Sequence, residues 1–456
     1  MAARVRSLAL LLLSAACGGG SAGRVATSQP TPAGQPSSAP VRTVRAAPAD
    51  AVGRPVGFPV PAVFTRYHVF IRATIGGAPA LLLFDSGASA TIFSPRLVHR
   101  LGLAYRGRHV AFGIGEAVTD ASLYEGAEIG IGPIRIKPAT VLTWSDAGFP
   151  TYGRTVPDGV IGYDLLRALV IVVDVHAGRI VAFDTATPPE VISRGGQVVP
   201  LRITNGLPVI PLDLFVGGSD PTPASPAATP LSVVVDFGAG AGLQLSRVVS
   251  DRLGLRARLR ETRTRQLVGI GGAVEVPEGT ADSARIAGAA IPRVLVAADT
   301  STVASVSLAE ADGFVGTEIL RRFAVTLDYA RGRAVFEPNL ALRAPFCRNA
   351  AGLCVRTETG LHGAQVFFVD PGSPGARAGI RPGNLIVAID GTSVAQLAAA
   401  EVDRLLDRGP GSVLEVLRGA AQFRIPPRDA PTQRGPIPRR AQPRERVGEL
   451  IRLPSP

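Results

Sequence analysis

Along most of this chain, apolar residues fall in short runs that Gly or Pro soon interrupts. Leu81-Leu-Leu-Phe-Asp85 and Val233-Val-Val-Asp236 are two such runs, each ending in an aspartate. β-Branched runs bounded by Gly and Pro read as strands joined by turns, so the region from about residue 57 to 345 is predicted to be mostly β. The pattern changes after Val355. Val366 to Gly391 reads as strand, turn, short helix, turn, strand and turn, and Ala399–Leu406 as a helix with Val402, Leu405 and Leu406 on one face. The stretches 18–56 and 428–456 hold few large apolar residues. They cannot repay their ordering entropy and read as a flexible tether and tail.

The β-rich region is a repeat. Asp158-Gly-Val-Ile-Gly-Tyr-Asp-Leu-Leu-Arg167 returns as Asp312-Gly-Phe-Val-Gly-Thr-Glu-Ile-Leu-Arg321, offset by 154 positions. From Asp158 to Ala182, nine of 25 positions are identical without a gap, too many for chance, so duplication accounts for them. Upstream, Asp85-Ser-Gly-Ala88 corresponds to Asp236-Phe-Gly-Ala239, and each is followed by Leu-Gly-Leu, at 101–103 and 253–255. Each copy also has a glycine-rich strand, Phe112-Gly-Ile-Gly115 and Val268-Gly-Ile-Gly-Gly272. The second copy carries an insertion, Gly217 to Pro230, where the first has only Gly76-Gly77. Its Pro/Ala/Ser content predicts a disordered hairpin tip. Asp158, Asp312, Asp174 and Asp328 precede turns and are expected to be structural.

At 456 residues and 46% apolar content, the chain can bury cores, and a wholly disordered protein is excluded. The net charge of +12 invites a nucleic-acid reading, but Lys137 is the sole lysine and the arginines are spread along the chain. The basic tail has no interleaved aromatics on which bases could stack, so no nucleic-acid partner is expected. The five histidines show no ligand spacing, and neither a HExxH run nor a Cys/His cluster is present. No metal and no cofactor are expected. No G-x-S-x-G follows a predicted strand, as a nucleophile elbow requires. Gly238-Ala-Gly-Ala-Gly242 hints at a dinucleotide loop but fails at Leu243.

Arg4, Arg6, the run Leu8–Leu13 and Ser14-Ala-Ala-Cys17 form a basic start, a short apolar core and small residues. That is an export signal. The small residues before Cys17 resemble a bacterial lipoprotein signal, although the expected leucine lies one place early, at Leu13. This resemblance implies lipidation of Cys17 and, with Gly18 following, an outer-membrane lipoprotein facing the periplasm. Ordinary cleavage would leave a soluble periplasmic protein. Cys347 and Cys354 read as a disulfide closing a small turn if the chain is exported, and as free thiols if it is not.

The duplicated unit resembles the pepsin and retropepsin clan of aspartic proteases, specifically the bacterial retropepsin-like family with two lobes fused in one chain. Asp85-Ser86-Gly87 and Asp236-Phe237-Gly238 match its two catalytic loops. Val160-Ile161-Gly162 and Phe314-Val315-Gly316 match the strands behind them. The last domain resembles a bacterial PDZ domain through Gly372-Ser-Pro-Gly-Ala-Arg-Ala-Gly379 and Gly383-Asn-Leu-Ile-Val-Ala-Ile-Asp-Gly391. The expected organisation is a signal at 1–17, a tether at 18–56, lobes at 57–195 and 196–345, a PDZ domain at 346–427 and a tail at 428–456. The fold class is mainly β.

The resemblance implies catalysis by Asp85 and Asp236, supported by Ser86, Gly87, Gly238, Gly162 and Gly316. It implies flaps built on Gly113, Gly115, Gly269, Gly271 and Gly272 that close over an extended peptide, and a PDZ carboxylate loop at Gly360, Leu361, His362 and Gly363. The implied partners are peptide or protein substrates, PDZ-bound peptide tails and a membrane reached only through the lipid; the implied state is a monomer. Two carboxyls at close range share one proton, so that one activates water while the other polarises the carbonyl. The chain departs from the family at Phe237, where a Ser or Thr hydroxyl is usual. That departure leaves open a second reading, a peptide-binding envelope protein with an impaired dyad.

Overall fold

The computed structural model describes residues 57–64, 67–111, 119–144, 155–187, 195–217, 227–270, 272–298, 310–347, 349–357, 362–370, 373–397, 399–408, 411–417 and 449–452. The expected signal, the tether and Cys17 lie outside these residues. The chain divides into two compact units between Ala344 and Pro345.

In the first unit, the duplication becomes two sheets of ten strands each among the described residues, with corresponding strands in the same order. In the first lobe, Val69–Ile75 pairs with Ala78–Phe84, which runs parallel to Gly159–Ile161. In the second, Leu207–Phe215 pairs with Thr229–Asp236, which runs parallel to Gly313–Gly316. Leu82, Leu83, Phe84, Val233, Val234 and Val235 are all buried. Continuous apolar runs suit central strands covered on both faces. Each run delivers its aspartate at the end of a rigid strand. Of the insertion, 218–226 lie outside the described residues, while Thr229 and Pro230 belong to the strand, opposite Leu214 and Asp213. That part of the expected loop is corrected: the hairpin ladder continues through it.

The lobes are joined by a six-stranded sheet in which Leu169–Asp174 pairs antiparallel with Phe323–Asp328. Val172 lies directly opposite Thr326. These residues are 154 positions apart and are therefore repeat equivalents. A segment that pairs with its own copy about equivalent residues places a pseudo-twofold axis between them. Asp158 and Asp312 have structural roles in both copies. Leu81 N–H donates to Asp158 Oδ2 at 2.9 Å, and Ser232 N–H to Asp312 Oδ2 at 2.7 Å. Asp174 and Asp328 accept from the amides of Ala177 and Arg331 in the turns that follow them.

The second unit has its own core, with Val366, Ile386, Val402, Leu406 and Val416 fully buried. Helix Ala399–Leu406 presents Val402 and Leu406 to it and packs Leu405 against its margin. The sheet runs in the order Leu353–Arg356, Ala364–Val369, Leu385–Ile389, Val413–Leu417 and Glu449–Arg452. The last strand corrects the expectation of a structureless tail. Leu450 and Ile451 pair opposite Glu415 and Leu414. A four-residue strand is too short to announce itself by periodicity, and the open edge of Val413–Leu417 supplies its hydrogen-bonding partners. Cys347 and Cys354 are joined in a disulfide.

Candidate active site

The two Asp-x-Gly loops meet on the pseudo-twofold axis. Asp85 and Asp236 are buried, 0% and 1% exposed. In each loop, the amide two residues on turns back to its own carboxylate: Gly87 N–H donates to Asp85 Oδ1 and Gly238 N–H to Asp236 Oδ1, both at 2.8 Å. Ala239 N–H adds a second bond to Asp236 Oδ1 at 3.0 Å. A β-carbon at Gly87 would lie 2.4 Å from Cγ of Asp236, and one at Gly238 would lie 2.3 Å from Cγ of Asp85. Each glycine therefore makes room for the carboxyl group of the opposite lobe. Gly162 and Gly316 do the same for the loop backbones: a β-carbon there would strike the carbonyls of Ala90 and Ala241, at 2.5 and 2.4 Å.

Ser86 crosses between the lobes. Its hydroxyl donates to the Val235 carbonyl at 2.7 Å and accepts from Phe237 N–H at 3.1 Å. Phe237 cannot return this bond. Its ring is fully buried and packs against Phe84, with centroids 5.5 Å apart and planes tilted by 59°. An aromatic contact worth about 0.5–1.5 kcal/mol beyond its burial thus stands where the family has a hydroxyl.

Burial pushes the Asp85 carboxyl well above the usual carboxylate range, and the neighbouring Asp236 charge pushes it further. Burial also raises Asp236, although contact with Asp85 and the Ala239 and Gly238 amides pull it back. The Oδ2 atom of each has no partner outside the pair among the described residues. Two buried carboxyls in contact cannot both ionise cheaply, so the pair retains a proton toward neutral pH.

Residues 71–165 match an aspartyl protease family model, and residues 369–418 match a PDZ domain model. The first lobe is an aspartyl protease-family domain, and the second unit contains a PDZ domain. Among solved structures, the chain is similar to an aspartic proteinase from Irpex lacteus, at TM-score 0.39 and 13% identity over 63% of this chain and 99% of that one. A search of curated proteins finds no match. The protease match contains Asp85, Ser86, Gly87 and Gly162, while Asp236 enters through the duplication.

Of the expected flap residues, Gly113, Gly115 and Gly271 lie outside the described residues. Gly269 and Gly272 close the hairpin of Arg260–Gly269 with Gly272–Thr280. Its tip crosses to the other lobe: Ile270 packs with Phe70, Leu83, Ala121 and Trp144, and its carbonyl accepts from Thr119 Oγ1 at 2.7 Å. In the same hairpin, the buried Glu278 lies against Arg263 and Arg265, whose guanidiniums overcome the effect of burial and hold its carboxyl low.

In the PDZ domain, Gly360 and Leu361 lie outside the described residues. His362 and Gly363 lead into Ala364–Val369, which is flanked by protein strands on both sides. Strand addition needs a free edge, so the expected loop at 360–363 does not head the receptive strand. Among the described residues Leu353–Arg356 is an edge strand next to Ala364–Val369, and Asn349 links it to the helix: its Nδ2 donates to Leu353 O and Asp403 Oδ1, both at 2.6 Å. Sequence reasoning missed Asn349, the Ile270 crossing and the support that Thr91 gives Asp164. Thr91 Oγ1 donates to Asp164 Oδ1 at 2.7 Å. Burial still raises that carboxyl to about 6. The one available signal was the repeat, which sets Asp164 opposite Glu318.

Proposed function

We propose that this protein is an aspartic endopeptidase in which Asp85 and Asp236 share one proton and activate a water molecule. The observation that carries the reading is the reciprocal approach of the two loops, in which each glycine's vacant β position faces the other lobe's carboxyl. The ionised carboxyl takes a proton from the attacking water. The protonated one hydrogen-bonds the scissile carbonyl and then helps protonate the leaving nitrogen. The flap hairpins close over an extended substrate, adding strand-type hydrogen bonds and excluding water. Neither lobe can do this alone, because each supplies a single carboxyl.

The PDZ domain supplies peptide or protein binding, for which we assign the Leu353–Arg356 edge. The Cys347–Cys354 disulfide favours an oxidising compartment. It supports the proposal of export, with Cys17 as the lipid attachment point.

Digestion of an unfolded protein and of a peptide library tests the reading. Cleavage is expected to be blocked by a statine-type transition-state mimic, and its rate per molecule should be independent of enzyme concentration, since both carboxyls lie in one chain. Strict dependence on dimerisation would contradict the assignment. Gly238→Ala is a second test. Its β-carbon has no place beside Asp85, and a displacement near 1 Å costs about a hundredfold in rate. Turnover should fall by that order, and Gly238→Ala activity equal to wild type would remove the loops from the mechanism.

A further inference from the structure

We propose that Thr317 positions the second catalytic loop: its hydroxyl holds the Phe237 carbonyl and, through that peptide unit, aims the Gly238 amide at Asp236. This rests on the dyad reading above. Thr317 Oγ1 donates to Phe237 O at 3.1 Å. The same peptide unit carries Gly238 N–H, which donates to Asp236 Oδ1 at 2.8 Å. A peptide unit is planar and stiff, so anchoring its oxygen anchors the direction of its N–H. Thr317 is itself held in place. It is fully buried, its N–H donates to Ala239 O at 2.8 Å, and its carbonyl accepts from Arg321 N–H at 2.9 Å.

Comparison of the lobes shows what the hydroxyl replaces. Tyr163 occupies the equivalent position in lobe one, 154 residues earlier, and its N–H makes the equivalent bond to Ala88 O at 2.8 Å. There a phenol stands in place of the short β-hydroxyl, and its ring packs edge-on against Tyr329 at 5.5 Å. Lobe one has Ser86 in its catalytic loop, whereas lobe two has Phe237 at that position. Both hydroxyls bond the second loop, Ser86 from across the lobes and Thr317 from within its own. Phe237, the residue that breaks the family pattern, has its N–H bound by Ser86 and its carbonyl bound by Thr317, each at 3.1 Å. The amide this arrangement steers is one that favours the ionised form of Asp236.

Thr317→Val keeps the shape and removes the hydroxyl; Thr317→Ser keeps the hydroxyl. With Val, kcat on a peptide should fall about tenfold, as for a lost hydrogen bond supporting a charged group. KM should be unchanged, and the acidic limb of the kcat profile should move up by about half a pH unit because the Asp236 carboxylate, which ionises first, loses support. Ser should restore both. The pH dependence of unfolding stability gives a readout independent of activity. Its neutral-pH decline should shift upward in Thr317→Val, and not when Asp236→Asn is also present. Val behaving as wild type in both measurements, or Ser failing to rescue, would overturn the inference. Should Val fail to fold, Thr317→Ala against Thr317→Ser is read the same way. An inactive wild type would overturn the dyad reading instead, and the stability comparison would still decide the role of Thr317.

Discussion

Asp85→Asn or Asp236→Asn is expected to abolish peptide cleavage and, at the same time, to make the protein more stable at neutral pH. The loss in turnover should reach at least about a thousandfold, because the acid and base roles reside in one shared proton. The stability gain follows from the raised titration of both groups. Between the unfolded value near 4 and the raised folded values, the native protein binds more protons than the unfolded chain. Wild-type stability must therefore fall as pH rises through that window, most of it by about pH 7, to which Asp236 is raised. An asparagine at either position removes one of the two raised groups and its like charge, and with them a large part of this slope. The gain above that window should be on the order of 2 kcal/mol. Denaturant unfolding at pH 4.5 and pH 7.5, beside the cleavage assay, measures both effects. A variant that is inactive but destabilised at neutral pH would mean that the two carboxyls are not in contact.

Phe237→Ser should destabilise the protein by about 3–4 kcal/mol and leave turnover no higher than in wild type. It removes a fully buried ring in contact with Phe84, and large-to-small changes at such sites carry both a transfer and a cavity cost. The impaired-dyad reading makes the opposite forecast. There the restored hydroxyl completes a reciprocal pair and turnover rises. Denaturant midpoints together with single-turnover cleavage separate the two. A tenfold gain in turnover would show that the aromatic contact is a defect and not a replacement.

The strands and their duplication were legible because both signals are local or self-referential. Val233–Asp236 reads as a buried strand from its own composition, and the 154-residue offset can be counted without a fold. Asp85 and Asp236 stood out for the same reason, each heading a matching repeat. Thr317 was present in the repeat comparison as the partner of Tyr163, but nothing in the comparison says that a hydroxyl there meets the Phe237 carbonyl. The strand open to a peptide in the PDZ domain was not legible for a related reason: which strand lies outermost depends on pairing order, and pairing order is not a local property.

From the chain of residues alone came the two β lobes, the PDZ-like unit and the two aspartates, since composition, punctuation and repetition act over a few positions at a time. Tertiary structure alone decided that each loop glycine yields space to the other lobe's carboxyl, that Ile270 is buried in the core of the other lobe, that Phe237 packs on Phe84, and that Glu449–Arg452 extends the sheet of the second unit. Each of these depends on residues distant in sequence coming into contact. The energies that decide such contacts (desolvation, packing and hydrogen bonding) exist only once both partners are in place.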